Sequence, residues 1–208
     1  MKEPRLEAVY SADTPEKAEA AYDGWASDYD ADLMTMGYRL PWHFAACVLK
    51  HIPFGTGPVL DAGCGTGLQV EPLHLLGWRG FTGIDLSTEM MAVARLKGLY
   101  DDLQQVRLGG DLPFGTDSFA AAFCVGTMTP GHAPIETLDE LIRVTRPGGF
   151  IAYSLRHDAG QDPHYLSYPR KLLDAGRIRS AFDSPEFATM PLGEPSVRNR
   201  VHICEVMA

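Results

Sequence analysis

Between residues 58 and 155 the chain switches repeatedly between two periodicities. Pro58-Val59-Leu60-Asp61-Ala62 is a short apolar run bounded by glycines, which reads as a buried strand. Gly67 to Leu76 reads as a helix and Phe81 to Ile84 as a strand. Ser87 to Lys97 reads as a helix, with Ser87 at its N-cap and Met90, Met91 and Ala94 facing inward. Val106 to Leu108 is a weaker strand pattern and Phe119 to Val125 a strong one. Pro134 to Val144 has a helical pattern, with proline near its start and Arg143 and Arg146 at its end. Pro147-Gly148-Gly149 reads as a turn and Phe150 to Leu155 as a strand. The connections are too long for hairpins and long enough for crossover helices. This alternation predicts an α/β fold, an open, doubly wound and mostly parallel sheet.

The flanks read differently. Residues 13 to 51 look helical. Thr14-Pro15-Glu16 is a helix start, and Ala18, Ala21, Tyr22 and Trp25 follow at helical spacing. A second helix is expected from about Pro41 to His51. After Leu155 the order blurs: Pro163 to Ala175 reads as a helix, and Glu186 to Met190 and Arg200 to Val206 as closing strands. The expected organisation is an N-terminal helical segment, residues 1–52, packed as one structural unit with a main domain, residues 53–208. No repeat is visible, so solenoids and propellers drop out.

Composition narrows the functional classes. The chain has 208 residues, 18 Lys+Arg and 27 Asp+Glu, for a net charge of −9. One domain of this length buries a core without a disulfide or a structural metal. The acidic balance argues against a nucleic-acid surface, which needs clustered cations. No apolar run is long enough to span a bilayer, and the first residues carry no secretory h-region. Cys47, Cys64, Cys124 and Cys204 are too scattered for a zinc knuckle or a CxxC motif, which fits a reducing cytoplasm. No metal-ligand constellation is visible.

The chemistry concentrates where the first strand ends, at Asp61-Ala62-Gly63-Cys64-Gly65-Thr66-Gly67. Glycines there permit a tight turn and let a ligand approach the backbone. A helix start just beyond offers free N–H groups. Asp85 ends the second strand, 22 residues after Gly63, where an acidic side chain can accept both ribose hydroxyls of an adenosine. A dinucleotide fingerprint wants glycine at relative positions 1, 3 and 6. Here the glycines stand at 1, 3 and 5, and position 6 is Leu68. Asp61 also places a carboxylate where a pyrophosphate would lie. Both features favour a cofactor with a cationic amino-acid tail over a nicotinamide dinucleotide.

Val59 to Gly67 resembles motif I of class I, seven-stranded, S-adenosylmethionine-dependent methyltransferases. Gly83-Ile84-Asp85-Leu86-Ser87 with Met90 resembles their acidic motif, and Gly110-Asp111-Leu112-Pro113-Phe114 their adenine-contacting segment. Arg143 to Gly149 resembles the turn before their fifth strand. Lys97 to Tyr100, Val125 to His132 and Asp162 to Tyr165 are similar to a subgroup, the Williams–Beuren-region methyltransferase-like proteins, whose substrate the resemblance does not supply. The resemblance implies a Rossmann-like sheet with an antiparallel last strand, and S-adenosylmethionine as cofactor. It implies that Gly63 and Gly65 pass under the methionine and ribose, with Asp61 and Cys64 in the same loop. Asp85 would bind the ribose hydroxyls, and Leu86 and Met90 would lie by the adenine. Asp111 would accept from the adenine amine, the Leu112 N–H would meet N1, and Gly110 precedes them. Val125 and Gly126 would lie beside the sulfonium.

Methyl transfer from a sulfonium is a direct displacement, so the protein mainly aligns the reactants and excludes water. A base is needed only where the nucleophile arrives protonated. His132, just beyond the fourth strand, is the candidate base; the alternative is a loop histidine that packs on the cofactor or caps the following helix. Tyr22, Trp25 and Tyr29 are candidates for an aromatic lid, with Tyr22 and Tyr29 near the sulfonium and Trp25 toward the substrate. The alternative is an amphipathic helix that uses its aromatics as core. Tyr38 and Arg39 from the N-terminal side, and His157 and Tyr165 after the fifth strand, are candidate walls of an acceptor pocket. The fourth strand ends in Val125-Gly126-Thr127-Met128, without the Asn/Asp-Pro-Pro-Tyr/Phe signature of base and amide methylation. The expected partner is a small organic molecule with an O, N or S nucleophile, and the expected assembly a monomer or homodimer. The rivals are a protein that binds the cofactor without transferring methyl, and a nucleotide-linked oxidoreductase.

Overall fold

A computed structural model describes residues 4–208. Four helices come first: α1 (Pro4–Tyr10), α2 (Pro15–Asp23), α3 (Tyr29–Thr35) and α4 (Leu40–His51). The alternating part follows as β1 (Val59–Ala62), α5 (Glu71–Leu75), β2 (Phe81–Asp85), α6 (Thr88–Lys97), β3 (Asp102–Gln105), β4 (Phe119–Cys124), α7 (Thr137–Val144) and β5 (Thr145–Arg156). The chain closes with α8 (Pro163–Asp174), β6 (Ile178–Asp183), β7 (Phe187–Met190) and β8 (Glu194–Val206).

The strands form one sheet in the order β3-β2-β1-β4-β5-β8-β6. The first five of that order are parallel, and β8 runs antiparallel to β5, β6 and β7. The sheet has eight strands rather than seven. The extra one has a physical reason. Residues 199–205 of β8 pair with β5, which leaves the beginning of this 13-residue strand in need of a partner. β7 supplies it, from Phe187↔Asn199 to Met190↔Glu194, and so satisfies backbone groups that would otherwise be unpaired.

Strand alternation sorts the core into two layers. Leu60, Ala62, Ala122, Cys124, Ile151 and Tyr153 face α7 and α8. Val59, Ala121, Phe123, Ala152, Val201 and Ile203 face α4 and α5. In α7, Leu138, Leu141, Ile142 and Val144 are buried on one side. Each such side chain contributes about 1.5–3 kcal/mol on leaving water. A third, smaller cluster joins Leu6 and Val9 of α1, Trp25, Leu33 of α3 and Met190. Thus α4 belongs to the sheet's own covering layer, while α1–α3 form a cap.

Local chemistry explains the element ends. Thr14 caps α2 by accepting from the Lys17 N–H, and Ser87 caps α6 by accepting from the Met90 N–H at 3.0 Å. Gly98 ends α6 in the left-handed conformation, φ 63°. The third strand lies four residues earlier than the apolar pattern indicates. β3 is an edge strand of mixed exposure, so it lacks an apolar signature, and Val106 and Leu108 turn inward as loop residues. The helix expected from Gly67 reaches α-geometry only at Glu71, after a series of turns. β6 and α1 carry no pattern because each is short or sits at an edge, while α3 falls within the stretch 13–51 that reads as helical.

Among the described residues no helix is long and apolar enough to cross a membrane. Among them, too, no group of three or more His, Cys, Asp or Glu could hold a metal ion, and the four cysteines are free.

Candidate active site

A cavity of about 900 Å³, counting its open mouth, lies over the carboxyl ends of β1, β2 and β4. That is the crevice where open α/β sheets bind ligands. Its floor is the turn after β1. Gly63 has φ 77°, and a Cβ there would stand 2.5 Å from the Thr127 side chain, so both conformation and space require glycine. A Cβ at Gly65 would meet nothing within 4 Å; the backbone is bare toward the cavity.

Asp85 is fixed at the edge of this floor. Its Oδ2 accepts from the Gly65 N–H at 2.8 Å and its Oδ1 from the Ser87 N–H at 2.9 Å. Burial raises its pKa, and the N–H groups of Ser87, Gly65 and Leu86 oppose that rise. Asp61 lies behind the loop rather than in the cavity wall. Tyr100 donates to its Oδ2 at 2.7 Å, while its buried Oδ1 has no partner. Burial pushes this carboxyl up to about 7, the Tyr100 hydroxyl lowers it, and Asp85 raises it further. Gln69 lines the cavity, donates to the Tyr38 hydroxyl at 2.8 Å, and leaves its buried Oε1 unpartnered. The unpartnered Gln69 Oε1, beside the glycine turn, suits a ligand that carries an ammonium group. At the other end Leu86, Met90, Val106 and Leu108 make an apolar slot fit for a flat base.

The cap closes the cavity from above. Asp23 at the end of α2 accepts from the Ser87 hydroxyl at 2.5 Å, and Asp30 in α3 accepts from the Thr66 hydroxyl at 2.6 Å. Lys97 pairs with Asp30 at 2.5 Å. Tyr22 and Tyr29 line the cavity and meet edge to face, 6.2 Å between centroids. Tyr22 stands equally over His132, at 5.6 Å.

A second chamber, about 1180 Å³ counting its mouth, adjoins the first. Tyr22, Tyr29, Tyr38, Gly126 and His132 line both. Trp25 lines the second chamber and donates to Asp32 at 2.8 Å, so it is core and wall at once. His132 Nδ1 lies 3.0 Å from the Thr129 hydroxyl, and its buried Nε2 has no partner. Burial lowers the His132 pKa, against a backbone bond at Pro130, so the ring is neutral at pH 7.

Of the residues marked in the sequence, Tyr22, Tyr29, Gly63, Cys64, Gly65, Asp85, Leu86, Met90, Val125, Gly126 and His132 meet around the first cavity. The adenine segment does not. Gly110 and Asp111 are exposed and line neither cavity, and the Leu112 N–H donates to Glu140 at 2.7 Å. Arg143 holds Glu140 and also donates to the carbonyls of Phe114 and Leu112, so the whole segment is tied to α7. Three of the four acceptor-wall candidates also stand elsewhere. Arg39 is exposed, His157 pairs with His202 at 3.2 Å, and the buried Tyr165 donates to the Ala133 carbonyl. Tyr38 alone of these lines the chamber. Sequence reasoning passed over Gln69, Arg156 and Gln161. Nothing but their place in the fold distinguishes them.

The sheet order and the glycine turn below this cavity define the fold of S-adenosylmethionine-dependent methyltransferases. Residues 60–153 match the family model described as a methyltransferase domain. The chain is similar to methyltransferase-like protein 27 of Homo sapiens, 37% identical over 141 residues, 65% of this chain and 56% of that protein. It is similar to a demethylmenaquinone methyltransferase of Symbiobacterium thermophilum, 30% identical over 153 residues, 67% of this chain and 61% of the other. The chain thus spans little more than half the length of these curated relatives. Among solved structures it resembles the [4+2]-cyclase SpnF, with TM-score 0.70, 17% identity, and 95% and 97% of the two chains covered. It also resembles a possible histamine N-methyltransferase of Thermotoga maritima, with TM-score 0.64, 16% identity, and 90% and 98% covered. Residues 60–153 thus match a methyltransferase domain, and the chain has the fold of S-adenosylmethionine-dependent methyltransferases.

Proposed function

We propose that the protein transfers a methyl group from S-adenosylmethionine to a hydroxyl of a small molecule held in the second chamber. The observation that carries this reading is the shared wall: four side chains, His132 among them, and the backbone of Gly126 line both cavities at once. The cofactor supplies an already activated methyl group. Asp85 holds its ribose, and Gln69 Oε1 accepts from its ammonium. Tyr22, Tyr29 and Tyr38 exclude water and offer ring faces to the cation. His132, neutral and with its Nδ1 engaged by Thr129, takes the hydroxyl proton at Nε2 as the methyl passes. The cap α1–α3 acts as the lid, and residues 1–52 as a substrate segment packed against the main domain. The four free cysteines accord with a reducing compartment, the cytoplasm. The acceptor is a small molecule rather than a nucleic acid, and a monomer or homodimer suffices for it.

The fold of a [4+2]-cyclase is so close to this one that the frame does not prescribe methyl transfer. The test therefore has two parts. Calorimetry with S-adenosylhomocysteine should show binding, and radiolabelled S-adenosylmethionine should label a component of a metabolite pool. Binding without labelling would favour a cofactor-binding protein that transfers nothing. Binding of NAD in place of S-adenosylhomocysteine would sink the cofactor assignment.

A further inference from the structure

The second chamber has an uneven chemistry. Its walls are largely apolar and aromatic, and Arg156 is the charged residue that lines it. That charge is already answered. The guanidinium grips Asp158 with two bonds, Nε to Oδ2 at 3.1 Å and Nη2 to Oδ1 at 2.6 Å. Burial alone would raise the Asp158 pKa, but Arg156 and the N–H groups of Arg198 and Gly160 bring it down to about 2, so the pair stays ionised. Tyr10, also in the wall, donates to Glu194 at 2.9 Å. The chamber thus presents no unanswered charge among its described lining residues.

It does present an unanswered donor. Gln161 is only 7% exposed, lines the chamber, and has an enclosed Nε2 without a partner. Its amide cannot be turned over, because Oε1 accepts from the Asp162 N–H at 3.1 Å and an NH₂ there would face another donor. The loop is held rigid around it. The His157 N–H donates to the Arg198 carbonyl at 2.8 Å, and Asp158 accepts from the Gly160 N–H at 2.9 Å and the Arg198 N–H at 3.0 Å. Asp162 then caps α8 through the His164 N–H. A buried amide donor left empty by a rigid loop is answered when a ligand brings an acceptor.

We propose that Gln161 determines specificity in this chamber, donating to a carbonyl or ether oxygen of an uncharged, ring-bearing substrate. The proposal rests on the methyl-acceptor reading above. The substrate spans from a hydroxyl at His132 to an acceptor oxygen at Gln161. An apolar analogue leaves the amide unpaired, and a carboxylate finds Arg156 already committed to Asp158.

Three probes test it on protein saturated with S-adenosylhomocysteine: 4-hydroxyacetophenone, 4-ethylphenol and 4-hydroxybenzoate. Calorimetry should show the ketone binding at least about ten-fold tighter than the ethyl compound, the size expected when one buried donor is left unpaired. The carboxylate should bind no tighter than the ethyl compound. Gln161→Leu should bind ketone and ethyl compound alike while keeping its affinity for S-adenosylhomocysteine. Gln161→Met, which is close in length and has no hydrogen-bond donor, should also lose the preference, and it carries the test if the leucine variant does not fold. An unchanged preference in the variants, tightest binding of the carboxylate, or no binding of any probe to the parent protein would overturn the proposal. Failure of the parent protein to bind S-adenosylhomocysteine would overturn the underlying reading instead.

Discussion

The two chambers share a wall but are built by different means. The floor of the first is backbone: the turn at Gly63 and Gly65, and N–H groups that fix Asp85. That floor comes from one short stretch after β1 and another after β2, while side chains of the cap and of the loops after β3 and β4 wall it. The second is made of side chains from α1, α3, the loop after β4, the loop after β5, and the strands β7 and β8. A backbone-built site needs particular residue types at particular spacings, because conformation and close approach dictate glycine. A side-chain-built site tolerates many residues at each position, and its meaning arises only when distant segments meet. On the function proposed here, the first defines a class of cofactor, and the second the individual substrate.

The largest effect expected from breaking this contrast lies beneath the first chamber. The folded protein holds a proton on Asp61 up to about pH 7, whereas the unfolded chain releases it near 3.8. Between those values the folded state binds the extra proton, so rising pH removes stability. The penalty reaches at most about 4 kcal/mol above pH 7. Asp61→Asn should abolish it, so urea denaturation without cofactor should show the variant gaining on the parent as pH rises from 4 to 8. A pH-independent difference would mean that Asp61 is not strained by burial.

On the shared wall, His132→Ala should lower turnover about a hundred-fold or more, the usual contribution of a general base. Affinity for S-adenosylhomocysteine should be nearly unchanged in calorimetry. A parallel loss of both would move His132 to the cofactor's side of the wall. Asp85→Ala should weaken S-adenosylhomocysteine binding more than ten-fold, since charge-assisted hydrogen bonds to two ribose hydroxyls are lost. Unchanged affinity would remove Asp85 from the cofactor. The smallest effect is expected at the cap. Asp23→Ala removes the bond from Ser87 and should weaken cofactor binding only a few-fold, by about 1 kcal/mol.

The legibility of the sequence follows the same division. The alternation from Val59 to Leu155 revealed the parallel half of the sheet because buried strands and crossover helices carry strong periodicities. Gly63, Gly65 and Asp85 were legible because a tight turn dictates glycine and the carboxylate at the end of β2 accepts from the N–H groups of Gly65 and Ser87. β3 was misplaced because an edge strand carries no apolar signature, and residues 194–199 of β8, which pair with β7, were missed because the length of β8 is a tertiary fact. Asp111 and Leu112 were read from a motif, yet Glu140 and Arg143 on a distant helix fix where that loop points. Gln161 carried no signal at all. An amide in a polar loop looks ordinary until its surroundings leave one of its hydrogens without a partner.

The two carboxylates that fasten the cap, Asp23 on Ser87 and Asp30 on Thr66, bear on timing. On the reading proposed here, spent cofactor leaves only after both fastenings part. Each passage of cofactor therefore carries a toll independent of the acceptor's reactivity. The first cycle after mixing should then run faster than those that follow, a burst whose size counts occupied sites.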